Sequence, residues 1–136
     1  MKIFKQIQDF FLSFWHQSKM NPRIKRLWIK SLKESKSQNF RQLKHPIDNK
    51  FCALGHLYEL YRQEFLDYYM WKGSQLVLKS DPAFWVLAQN VLDWAGIKQK
   101  YRMNWSPMIG DQTIIFLNDY KQLSLRQIAK LIKKYL

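Results

Sequence analysis

Between Phe51 and Phe65 the chain places Leu54, Leu57, Tyr58, Leu60 and Tyr61 so densely that a helix there keeps little polar surface on any side. Such a helix has to lie inside a fold, and the spacing predicts a central buried helix over about 50–66. Asp48 or Asn49 is placed to cap it, with Ile47 positioned for a staple contact. Gly55 lowers helix propensity by about 1 kcal/mol relative to Ala, so it is expected where another backbone crosses too closely for a side chain. The remaining chain can cover this helix. Its 136 residues are 47% hydrophobic and include six Trp, seven Tyr and nine Phe, enough for one domain and evidence against disorder.

Two segments are predicted: an amphipathic N-terminal helix extension over 1–20 and a helical domain over 21–136. In the extension Phe4, Ile7, Phe11, Phe14 and Trp15 recur at helical steps and form a stripe read first as packing onto the domain and otherwise as a candidate partner-binding face. Lys5, Gln6, Gln8 and Asp9 interrupt it too often for a signal peptide. Asn21 and Pro22 then open a helix as cap and first-turn proline, with Ile24, Leu27, Trp28 and Leu32 inward. Ser31 to Asn49 reads as a long connection. Tyr68–Trp71 and Gln75–Lys79, around Lys72-Gly73-Ser74, have the composition of a short hairpin.

Asp81-Pro82 is expected to start a helix through about Trp94, with Phe84, Leu87, Val91 and Trp94 inward and Gly96 ending it. Residues 97–110 read as irregular, after which Asp111 is expected to cap a short helix holding Ile114, Ile115 and Leu117. Ser124 caps the last helix, with Leu125, Ile128, Ala129, Ile132 and Tyr135 inward. The fold class that results is mainly α: a compact single-domain helical bundle around a central buried helix, with one short β-hairpin as an option.

The 23 basic and 10 acidic side chains give a net charge of +13, unevenly spread. Residues 1–50 hold 12 basic and 3 acidic, 51–95 hold 3 and 5, and 96–136 hold 8 and 2. Two stripes concentrate the surplus. Arg23, Arg26, Lys30 and Lys33 share the reverse side of the second helix, with Lys25 and Lys36 beside them. Arg126, Lys130, Lys133 and Lys134 take the outer side of the last. A field of this kind draws polyanions to the surface, and nucleic acid is the polyanion favoured here. Tyr101, Trp105 and Tyr120 are candidates for stacking on single-stranded bases wherever they stay exposed.

Four motifs occur in order: Phe51-Cys52-Ala53-Leu54-Gly55-His56-Leu57 with Leu60-Tyr61, Trp94-Ala95-Gly96, Leu117-Asn118-Asp119, and Ser124-Leu125-Arg126-Gln127-Ile128-Ala129 with Ile132. Together they resemble small uncharacterised proteins encoded by bacteriophages and by bacteria carrying mobile elements. The likeness covers about Arg23 to Leu136. It implies a fold and a mobile-element origin, with no established activity. Relatives often carry acidic residues on the last helix where this chain has Arg126, Lys130 and Lys133, so any partner inferred for the family need not transfer to this chain.

Chemistry is sparse. Cys52, His56 and Glu59 fall on successive turns, but ligands from one helix do not close a metal site, and no metal or other cofactor is expected. The same pair lacks oxyanion donors or an orienting group for nucleophilic catalysis. Asn118-Asp119 reads as a turn or cap pair. Leu123 to Ile132 is similar to the first helix of a helix-turn-helix; with the sequence ending at Leu136, no recognition helix is expected after it. One cysteine gives no internal disulfide, and no apolar run reaches the roughly 18 residues of a membrane span, which favours a cytoplasmic protein. The expectation is a non-enzymatic protein holding nucleic-acid phosphates, DNA or RNA, without strong sequence preference. The alternative is an inhibitor or adaptor of mobile-element origin that docks an acidic protein through Phe4, Ile7, Phe11, Phe14 and Trp15. Attachment of that stripe to an anionic membrane surface is a third reading.

Overall fold

The computed structural model of the chain describes residues 19–98 and 106–136. The 1–18 stripe, Tyr101 and Trp105 lie outside them. Helix α1, Pro22–Glu34, begins as its sequence dictates: Asn21 Oδ1 accepts from the Ile24 N–H at 3.2 Å and Pro22 fills the first turn. Ile24, Trp28 and Leu32, each four residues apart, are buried, whereas Leu27 is left partly outside. Trp28 is fully enclosed, and its indole N–H donates to the Ala53 carbonyl at 2.9 Å, so no buried donor is left unpaired there. The helix runs through Ser31 to Glu34, shortening the expected connection.

The central helix α2 is Ala53–Glu64, buried along most of its first two turns as expected. Its start differs from the sequence expectation. Cys52 is the cap, its Sγ accepting from the Gly55 N–H at 3.2 Å, while Asp48 and Asn49 lie on an exposed loop and Ile47, 86% exposed, makes no staple. The reason is the preceding loop, which folds back so that the Cys52 N–H donates to the Leu43 carbonyl at 3.1 Å. A Cβ on Gly55 would stand 1.8 Å from that same carbonyl oxygen. Only glycine lets the loop cross the helix there.

Strands β1, Tyr69–Lys72, and β2, Gln75–Leu78, pair antiparallel around Gly73, which has φ +60. The helix expected from Asp81 is absent over its first half. Asp81 instead closes a turn, accepting from Ala83 N–H on its side chain and from Phe84 N–H on its carbonyl. Residues 84–86 then lie alongside β2, with Leu78 N–H donating to Phe84 O and Val86 N–H to Leu76 O. Helix α3 is therefore only Ala88–Trp94, and Phe84 and Leu87 are exposed rather than inward. Gly96, with φ +74, ends it as predicted, and there a Cβ would meet the Asn21 backbone nitrogen at 2.8 Å.

A second small hairpin, β3 (Met108–Ile109) and β4 (Gln112–Thr113), leads into α4, Ile114–Asp119. Thr113 caps α4 by accepting from the Phe116 N–H, because Asp111 is spent in the hairpin turn. The last helix α5, Leu125–Tyr135, carries a full capping box, in which Ser124 Oγ accepts from Gln127 N–H and Gln127 Oε1 from Ser124 N–H. Leu125, Ile128, Ala129 and Ile132 face the core; Tyr135 points outward instead. Five helices and two antiparallel hairpins thus make up the described residues, a mixed arrangement rather than a pure helical bundle. Among them no helix is long and apolar enough to cross a membrane.

Candidate functional site

Helices α1 and α5 pack antiparallel. At one end the Met20 N–H donates to the Leu136 carbonyl; at the other, Leu32 and Ser35 meet Ser124 and Leu125. Each helix buries its apolar stripe, so the two outward faces are set side by side. Between them lies a groove of about 570 Å³. Lys25, Arg26, Lys30 and Lys33 come to it from α1 and Lys133 from α5; Pro22 and Ile29 add apolar surface, and Glu34 is the acid on its wall. Arg26, Lys30 and Lys33 follow one another at about 6 and 4.5 Å of helix rise. Lys25 sits deepest, and its ammonium titrates below the ordinary lysine value, through burial first and the neighbouring charge of Lys19 second.

The other end of the same helix pair has a smaller hollow of about 220 Å³, lined by Lys36 of the α1 exit and Arg126 of α5 among serine and glutamine side chains. Lys130 and Lys134 are exposed on α5 and line neither, Lys134 lying 5.1 Å above the ring of Tyr135. Among the described residues, none of Arg26, Lys30, Lys33, Lys36, Arg126, Lys130, Lys133 or Lys134 is in an ion pair. Arg23 is different. It is held by Glu64 at 3.0 Å, and Glu64 also accepts from Trp94 Nε1, so Arg23 belongs to the α1/α2/α3 junction and leaves the basic face.

The structure uses the second candidate cluster elsewhere. Cys52 is a buried cap whose thiol is pushed up to about 12 by burial, which keeps it neutral. His56 Nδ1 and Ser31 Oγ are hydrogen-bonded at 2.7 Å, and burial lowers its pKa to about 4, against a smaller upward pull from Glu59. Its Nε2 is buried without a partner. For Glu59, burial works against the charge, yet Arg62 and the Trp71 indole hold the carboxyl below the usual range. Asn118 is fully inside: its Oδ1 accepts from Ala53 N–H and Gln38 Nε2, and its Nδ2 donates to the Asn39 carbonyl and Asp119 Oδ1. Asp119 Oδ1 in turn accepts from the Arg41 N–H. Tyr120 is exposed and stacked on Phe116, centroids 5.8 Å apart.

Sequence spacing identified both cationic stripes but gave no sign that Lys133 of the second joins Arg26, Lys30 and Lys33 of the first in one groove, nor that Pro22, Ile29 and Glu34 line it. Ile29 sits beside the inward stripe, and only the approach of α5 turns it into a groove wall.

The chain belongs to a family described as a domain of unknown function, DUF8296, whose model matches residues 20–136. The ordered motifs lie within that span, and the parts they play here are structural: the Cys52 cap and Gly55 crossing, the Gly96 stop, the Asn118 tie and the Ser124 cap. No curated protein and no solved structure matches the chain.

Proposed function

We propose that this protein is a non-enzymatic binding protein that holds the phosphates of nucleic acid on the α1/α5 face, without strong sequence preference. One observation carries the reading: cations from two helices about a hundred residues apart in sequence converge on one groove in which Glu34 is the acid on the wall. Lysine and arginine heads at helical intervals suit a line of phosphates, and contacts of that kind supply affinity and register rather than base identity. The non-enzymatic part is supported by the fate of Cys52, a neutral cap, and of His56, kept uncharged inside the domain. The ordered motifs favour a bacteriophage or mobile-element origin.

Titration of generic DNA and RNA by fluorescence anisotropy at two salt concentrations tests it. With about six phosphates engaged, the affinity falls with salt on a log–log slope of about −5. Absence of binding at low salt ends this reading.

A further inference from the structure

The face of the small sheet that turns away from the core carries a second kind of chemistry. Alternation along β1 and β2 sends Tyr69, Trp71 and Leu76 inward, where Tyr69 hydrogen-bonds Tyr61 and Trp71 hydrogen-bonds Glu59. The opposite face is therefore made by Met70 and Lys72, by Val77, and by Trp85 from the segment beside β2, with Tyr68 and Lys79 flanking it just beyond the strand ends and the Tyr68 ring 6.5 Å from that of Tyr69. The rows are fixed by backbone pairing: Lys79 N–H donates to Tyr68 O, Met70 is opposite Val77, and Val77 is opposite Trp85. Val77 is fully enclosed in the middle of its row, while Tyr68 and Trp85 stand 66% and 64% exposed, two strand spacings across and two residues along, about 12 Å apart on the diagonal. Leu87, 65% exposed, continues the segment.

Aromatic rings left largely in water on a paired backbone suit stacking against flat partners. The charges beside this face are Lys72, which alternates onto it, and Lys79 just past the end of β2, both exposed and in no ion pair among the described residues. Asp67 and Asp81 lie in the turns outside the strands, and Asp81 Oδ1 is occupied by the Ala83 N–H. Flat apolar rings between lysines complement a flat ligand that carries negative charge. Nucleobases on a phosphate chain meet that description, but only in a single strand, because duplex bases already stack on one another and cannot offer their faces.

We infer that this sheet face, with Tyr68 and Trp85 as its rings and Lys72 and Lys79 as its cations, is a stacking surface for the bases of single-stranded nucleic acid. The inference rests on the nucleic-acid reading of the α1/α5 groove and adds a strand preference to it.

The test uses the full chain with labelled oligo(dT), oligo(rU), a blunt duplex of equal length and poly-glutamate, at low salt. Single strands bind more tightly than the duplex, and Trp85→Ala and Tyr68→Ala each weaken single-strand binding about tenfold while leaving duplex binding unchanged. Trp85→Phe, which keeps a ring, retains most of the affinity. Thermal transitions equal to that of the parent show that these exposed positions were changed without loss of fold. Single-strand affinity untouched by both alanine variants overturns this inference and leaves the groove reading standing. So does capture of poly-glutamate that depends on Trp85 while single strands are indifferent to it, which points to an acidic protein partner. No binding of any nucleic acid overturns both readings.

Discussion

A methyl group on Gly55 would overlap the Leu43 carbonyl oxygen at 1.8 Å, and the atom it meets is backbone, itself bound by the Cys52 N–H. Gly55→Ala gains about 1 kcal/mol in helix propensity but has to push that loop away, so a net loss of about 3 kcal/mol or more is expected in urea unfolding. A variant as stable as the parent contradicts the crossing. Burial makes a different prediction at His56, whose folded pKa of about 4 lies below the ordinary 6.5. As pH falls the unfolded chain takes up this proton first. The contribution of the neutral ring is therefore complete above about pH 6.5 and is lost between 6.5 and 4. Unfolding free energies of the parent and His56→Gln should converge across that window, and a constant difference would refute the assignment. Gly55 was readable in the sequence because a glycine inside an otherwise strong helical stripe needs a steric reason. The Cys52 cap was not, since Asp48 and Asn49 are better cap formers by chemistry and only the loop's return to Leu43 displaces them.

Elements whose start signals are local came through intact. Asn21-Pro22 and Ser124 with Gln127 are satisfied within one turn, so α1 and α5 begin where the sequence places them. Asp81-Pro82 misled because the same pair also starts a turn, and pairing of residues 84–86 with β2 satisfied backbone groups that a helix would have used. Long-range ties were invisible. Asn118 joins α4 to the first N–H of α2 and to the 38–39 loop, so Asn118→Ala leaves Ala53 N–H and the Asn39 carbonyl unpaired inside the protein. Loss of about 3 kcal/mol in chemical denaturation is the expected outcome, and under 1 kcal/mol argues against the tie. On α1 the ion pair to Glu64 separates Arg23 from its stripe. Arg23→Gln should change nucleic-acid affinity by less than about twofold, whereas Arg26→Gln weakens it several-fold in the same anisotropy assay. Equal effects would mean that Arg23 remains available to ligands.

The net charge of +13 attracts polyanions wherever its cations sit, so attraction alone does not distinguish a site from a generally basic surface. What marks a site is the antiparallel packing of α1 on α5, which gathers Lys133 beside Lys30 and Lys33. Neither stripe predicts this, because each sequence pattern reports only the faces of its own helix. The comparison that isolates the groove holds net charge fixed. The triple variant Lys30→Gln, Lys33→Gln, Lys133→Gln is set against Lys50→Gln, Lys98→Gln, Lys121→Gln, three exposed lysines that do not line it. Duplex binding by the groove triple should fall at least tenfold at low salt, with its salt slope reduced by about 2.7, while the control triple stays close to the parent. Equal losses in the two triples would show that bulk charge, and not this groove, holds the phosphates.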